Sequence, residues 1–175
     1  MRHVAFLRNV NQGQRGHPST DDIRAAFSDA GCPDAVPFQS NGTILFDADD
    51  AAAVMETVVA SITARSGLER DAFAVPFAEL ATVVETHGTT LDPRRFEFTL
   101  HHGGTVDVGD PAVIQHASQH RCELVDAGPG WALVRNQREG EGNATPVIQR
   151  LTGGPASSRG LPTLVRLVDR FADGR

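Results

Sequence analysis

Two short stretches concentrate the side chains best suited to recognise a ligand by hydrogen bonding. One runs Arg8-Asn9-Val10-Asn11-Gln12-Gly13-Gln14-Arg15, the other Gln39-Ser40-Asn41-Gly42. Primary amides donate and accept at once, and a guanidinium presents several donors in a rigid fork. Such a set suits a small polar or anionic ligand. The same residue types also build turns, because Asn and Ser side chains readily bond neighbouring backbone. Arg159, in Ser157-Ser158-Arg159-Gly160, is a further place to hold a phosphate or carboxylate. The candidate ligand-binding set is therefore Arg8, Asn9, Asn11, Gln12, Arg15, Gln39, Ser40, Asn41 and Arg159.

Other chemistries find less support. His101-His102 precede Gly103-Gly104, and His116 lies four residues before His120, a spacing that can place two imidazoles on one helix face. No HExxH surrounds them, and Pro111 leaves room for barely two helical turns, so no metal ligands are assigned. There is no G-x-S-x-G elbow, and Ser157 and Ser158 sit in a linker-like Gly-Pro-Ala-Ser-Ser run. Asp21-Asp22 and Asp49-Asp50 read as helix starts rather than acid/base pairs. Gly13 and Gly16 form no dinucleotide or Walker fingerprint. No catalytic residue and no cofactor is assigned, and whether the chain is an enzyme stays open.

Which elements position the two stretches follows from periodicity. His3–Arg8 alternates as a strand, and Ser19 with Asp22 forms a capping box for a helix with Ile23, Ala26, Phe27 and Ala30 on one face. Gly31 ends it as a C′ glycine. Short β-rich runs, 35–39 and 43–47, flank Asn41-Gly42, a tight-hairpin signal. Asp49 or Asp50 caps a second helix with Val54, Met55, Val58 and Ile62 on one face, closing at Ser66-Gly67, and 72–75 is a fourth strand. The order is β-α-β-β-α-β, the ferredoxin-like signature. Its first two strands run parallel, so the loop 9–18 and the hairpin 39–42 meet at one sheet edge. The N–H groups at the start of the first helix point to the same edge.

Residues 77–92 read as a connecting helix between a first lobe, 1–76, and a second α+β lobe, 93–175. The second lobe echoes the first as a degenerate duplication. Its strand 95–100, a helix from Asp110-Pro111, hairpin strands 121–126 and 131–136 and a helix from Thr145-Pro146 precede a C-terminal helix after Pro162. That helix stands where the closing strand would be. The fold class is α+β.

Composition narrows the partners. The 175 residues carry a net charge of −6, which disfavours nucleic acid and anionic lipid. Phe6 and Phe46 could stack bases by position, but no RNP1 pattern accompanies them. All 16 basic residues are arginine. No apolar run approaches the roughly 20 residues that span a bilayer, and Arg8, Asn9 and Asn11 interrupt any export signal, so no membrane partner is expected and the cytoplasm is the expected compartment. Cys32 and Cys122 fit buried reduced thiols.

The motifs also resemble a family of uncharacterised bacterial proteins, Domain of Unknown Function 1697. Members typically open Leu-Arg-Gly-Ile-Asn-Val-Gly-Gly, and Leu7-Arg8-Asn9-Val10-Asn11-Gln12-Gly13 keeps the Leu, Arg, Asn and second Gly. The family's Gln-Ser-Gly-Asn is similar to Gln39-Ser40-Asn41-Gly42 with Gly and Asn exchanged. Its late Thr-Ala-Arg-Asn-Trp-Asn-Thr corresponds to Ser157-Ser158-Arg159-Gly160-Leu161-Pro162-Thr163, which retains the Arg and the Thr. The resemblance implies the fold and no activity. Three readings follow: a binding domain for a small polar or anionic ligand, an enzyme acting on a phosphate- or carboxylate-bearing molecule, or a homodimeric interaction module pairing through a sheet edge.

Overall fold

The computed structural model describes residues 1–172, and the chain divides into two compact units, the first Met1–Ala78 and the second from Glu79 onward. The first unit contains β1 (Arg2–Leu7), α1 (Thr20–Asp29), β2 (Val36–Pro37), β3 (Thr43–Asp47), α2 (Ala51–Ser66) and β4 (Ala72–Pro76). Its sheet has the order β2-β3-β1-β4 with every neighbouring pair antiparallel. β1 and β2 each oppose β3, so they run parallel to one another, as the split β-α-β-β-α-β arrangement requires.

Local chemistry sets the helix limits. Ser19 caps α1 through a capping box with Asp22, and Asp50 caps α2 by accepting the Ala53 N–H at 3.0 Å. Gly67, at φ 72°, ends α2 in the left-handed conformation that glycine adopts without a Cβ penalty. Both helices lay their apolar stripes on one sheet face: Ile23 and Phe27 of α1 and Val58 and Ile62 of α2 meet Ala5, Leu7, Ile44 and Phe46. The Phe27 and Phe46 rings lie 5.4 Å apart. The opposite sheet face is buried too, through Val4, Phe6, Leu45 and Phe73.

The hairpin differs from the two-residue Asn41-Gly42 turn that the sequence suggests. Phe38 N–H bonds Thr43 O at 2.8 Å, so the loop holds all of residues 39–42, and of Asn41 and Gly42 only Gly42 has positive φ, 76°. A tight turn of that type needs positive φ at both central residues. Contacts with β1 decide the outcome. Leu7 N–H donates to Gly42 O at 2.8 Å, and a Cβ on Gly42 would stand 2.9 Å from Leu7 O. β2 is correspondingly short.

α3 (Phe77–His87) follows β4 directly, with Pro76 as the last strand residue. A 3-10 turn at Pro93–Arg95 then leads into β5 (Phe96–His101), α4 (Pro111–Gln119), β6 (Cys122–Gly128), β7 (Trp131–Asn136), α5 (Ala144–Thr152), β8 (Ala156–Gly160) and α6 (Leu161–Phe171). The sheet order is β6-β7-β5-β8, the first unit's order repeated.

This corrects the expectation of a helix in place of the closing strand: β8 is present, pairs β5 from Ala156 to Gly160, and α6 is an addition after it. Ala-Ser-Ser-Arg-Gly carries no β-branched or aromatic residue, so its strand character comes from burial and pairing rather than propensity. Ser158 turns its hydroxyl into the unit, bonding Thr99 at 2.7 Å and Thr145 at 2.6 Å. The repetition extends to individual hydrogen bonds. His101 N–H donates to Gly130 O at 2.9 Å as Leu7 does to Gly42, and His101 pairs Ala156 as Leu7 pairs Ala72. α5 lacks a side-chain cap from Asn143; the Glu97 carboxylate takes the Ala144 N–H at 3.3 Å instead, placing a negative charge at the helix start. Among the described residues no helix is long and apolar enough to cross a membrane.

Candidate functional site

The loop after β1 is shaped by bonds to both of its neighbours in the sheet. Arg8 N–H continues the β1–β4 ladder by donating to Asp71 O at 2.9 Å, and its guanidinium meets the Asp71 carboxylate at 3.1 Å. Asn9 turns the chain with φ 54°, a left-handed value that Asn tolerates better than most residues. Gln12 N–H then bonds Ser40 O at 2.8 Å, joining loop to hairpin. Within the loop, Asn11 N–H donates to His17 Nδ1 at 3.1 Å, and Gln14 N–H to Asn11 O at 3.2 Å.

Arg70 braces this loop from beneath. It is buried, and its guanidinium donates to Asn9 O at 3.1 Å, Gly16 O at 2.8 Å, Leu68 O at 3.1 Å and Ser66 Oγ at 3.0 Å. The two loop carbonyls it holds lie at opposite ends of the segment. Nothing distinguishes Arg70 from the chain's other arginines in the sequence, because only the fold determines which carbonyls come within its reach.

Several predicted site residues thus come together, and others go elsewhere. Asn11, Gln12, Arg15, Gln39, Ser40 and Asn41 belong to the joined loop and hairpin. Asn11, Arg15, Gln39 and Ser40 are exposed, whereas Asn41 accepts the Thr43 hydroxyl at 2.9 Å. Arg8 reaches toward β4, on the side of β1 away from the hairpin. Asn9 contributes its carbonyl to Arg70. Arg159 belongs to the second unit, on β8 opposite Phe98, where it is buried and donates to Ser157 Oγ at 2.9 Å and Ser158 O at 2.8 Å. Burial lowers its pKa to about 10, which leaves it charged at neutral pH.

Gln12 is the chemically open member of the group. Its Oε1 accepts the Thr20 hydroxyl at 2.9 Å, while its Nε2 is buried without an acceptor among the described residues. Arg15 makes no hydrogen bond or ion pair among the described residues. The start of α1 is already occupied. The Ser19 N–H and hydroxyl donate to the Asp22 carboxylate at 2.9 and 2.8 Å, and those bonds hold its pKa below the usual range. A ligand anion approaching the helix start would meet this carboxylate.

The histidines are engaged within the second unit. His101 is buried, and its Nδ1 accepts Gly103 N–H at 3.1 Å. His116 and His120 have ring centroids 4.5 Å apart, and His120 Nδ1 bonds His116 O at 2.9 Å. Among the described residues no three His, Cys, Asp or Glu side chains are grouped to hold a metal.

Two successive split β-α-β-β-α-β lobes, each continued by a helix, define the chain as a duplicated ferredoxin-like α+β protein. It belongs to the family described as "Protein of unknown function (DUF1697)", whose model matches residues 1–106. A solved structure, that of the conserved bacterial protein SP0830 from Streptococcus pneumoniae, is similar with a TM-score of 0.59 at 12% identity. The alignment covers 96% of this chain and 97% of that one, and at this identity it speaks for the fold alone. No curated protein matches.

Proposed function

We propose that the protein binds a small polar or anionic ligand at the loop–hairpin edge of its first unit. The observation that carries this reading is Gln12 Nε2, a buried donor with no acceptor in a loop bonded directly to the hairpin. An unmet buried donor costs roughly 1–3 kcal/mol, which a ligand oxygen would recover. Arg15 supplies an unpaired cation on the same loop, and Asn11, Gln39 and Ser40 supply exposed hydrogen-bonding groups. Arg70 holds the loop in shape before a ligand arrives, which reduces the ordering cost of binding. In this reading Arg8, Asn9 and Arg70 are scaffold, and the ligand's charge lies toward Arg15 rather than the Asp22 end of α1.

A thermal-shift screen of phosphates, nucleotides and carboxylates tests the proposal. The expected result is a hit lost or weakened in Arg15→Ala and Gln12→Leu, with both variants folded by circular dichroism. A panel in which nothing shifts the wild type, or in which every hit survives both substitutions, refutes it.

A further inference from the structure

The second unit contains a cleft of about 510 Å³ that the loop–hairpin reading does not use. It lies alongside α4 and β6, where the packing differs from that of the first lobe. α1 buries Ile23, Ala26 and Phe27, whereas α4 buries only Ala117. The equivalence of Phe27 and Ala117 rests on the cysteine that follows each. Cys32 N–H bonds Phe27 O at 2.8 Å, and the Cys122 thiol bonds Ala117 O at 3.5 Å. Counting from Gly42 and Gly130, the Phe46 that packs on Phe27 is matched by Val134. An aromatic pair in the first lobe is therefore an Ala–Val pair in the second, where both small residues are buried in the core beneath α4. Its Ile114 is 54% exposed, which gives the cleft an apolar wall together with Val113 and Leu124.

The cleft also carries charge. Arg95 and Arg135 line it against one acid, Glu123. Arg95 uses Nε on Asn136 O at 2.8 Å and Nη1 on Asp92 at 3.5 Å, while Arg135 meets Glu123 through Nη2 at 2.6 Å. Each guanidinium keeps unused N–H donors, because the group has five. Cys122 lines the same space, but burial raises its pKa to about 11, so it is a wall and not a nucleophile at neutral pH. The volume falls within the roughly 300–1,000 Å³ typical of small-molecule sites.

We infer that this cleft binds a small carboxylate with an apolar body, the carboxylate on Arg95 and Arg135 and the hydrocarbon along Val113, Ile114 and Leu124. The inference is independent of the first-unit site. Octanoate is the test probe, with 1-octanol and acetate as controls, measured by isothermal titration calorimetry on the full chain. Saturable octanoate binding is expected, weaker by about tenfold or more in Arg135→Ala and in Ile114→Asp, and unchanged in Arg24→Ala, an exposed arginine of α1 outside both sites. Both cleft positions are solvent-accessible, and breaking the exposed Arg135–Glu123 pair should leave the fold intact. Acetate and octanol should each bind more weakly than octanoate. Absence of saturable octanoate binding, equal affinity for octanol, or indifference to both cleft substitutions would overturn the inference.

Discussion

Arg70 places a full positive charge in the interior of the first unit and surrounds it with carbonyl and hydroxyl oxygens rather than a carboxylate. Its stabilising effect is to give donors to backbone that folding removes from water. Arg70→Ala should therefore leave Asn9 O and Gly16 O unmet and cost about 2–4 kcal/mol in urea denaturation. Arg15→Ala should change stability by less than about 0.5 kcal/mol, since that side chain is exposed and makes no ion pair among the described residues. The thiols make a second prediction at this scale. Burial raises the pKa of Cys32 and takes that of Cys122 to about 11. Neither should be alkylated by iodoacetamide at pH 7.5 in the folded protein, and both should react once it is unfolded, as read by mass spectrometry. Rapid labelling of the native chain would contradict this. His101 gives a pH dependence. Burial, with a smaller effect from His102, lowers its folded pKa, so the unfolded chain binds the extra proton as pH falls through about 6.5. Stability should consequently fall on acidification from that point, and His101→Gln should flatten the slope.

At the scale of elements, what was legible depended on how local the deciding contacts are. The Ser19–Asp22 capping box, the Gly31 and Gly67 helix ends and the α1 and α2 core faces all rest on neighbours within one or two turns, and each appears where the residue pattern puts it. The hairpin and β8 rest on distant partners. Gly42 answers to Leu7, and β8 is a strand because β5 and buried hydroxyls receive it. The candidate site divides in the same way. Strand order makes the meeting of loop and hairpin readable, but the target of each arginine is set by tertiary approach, which is why Arg8 ends on Asp71 and Arg70 emerges as the brace. Phe27→Ala, which empties a fully buried site against Phe46, should cost roughly 3–5 kcal/mol by chemical denaturation. A loss under about 1 kcal/mol would mean that α1 does not lean on the sheet through this face.

At the scale of the whole molecule, the same topology occurs twice with different side chains at equivalent places, so the two lobes need not share a role. The first presents an amide-rich loop braced by Arg70; the second has small residues where the first has an aromatic contact, and carries a cleft beside α4. The first-unit edge is the proposed site of ligand recognition. The most direct test is an amide chemical-shift titration of the full chain with a panel of phosphates, nucleotides and carboxylates. Binding at the edge predicts saturable shifts at the Asn11, Gln12, Arg15 and Ser40 amides and at the Gln12 side-chain NH₂, lost in Arg15→Ala. If those signals stay fixed across the panel, the edge is a structural loop and the proposal is wrong.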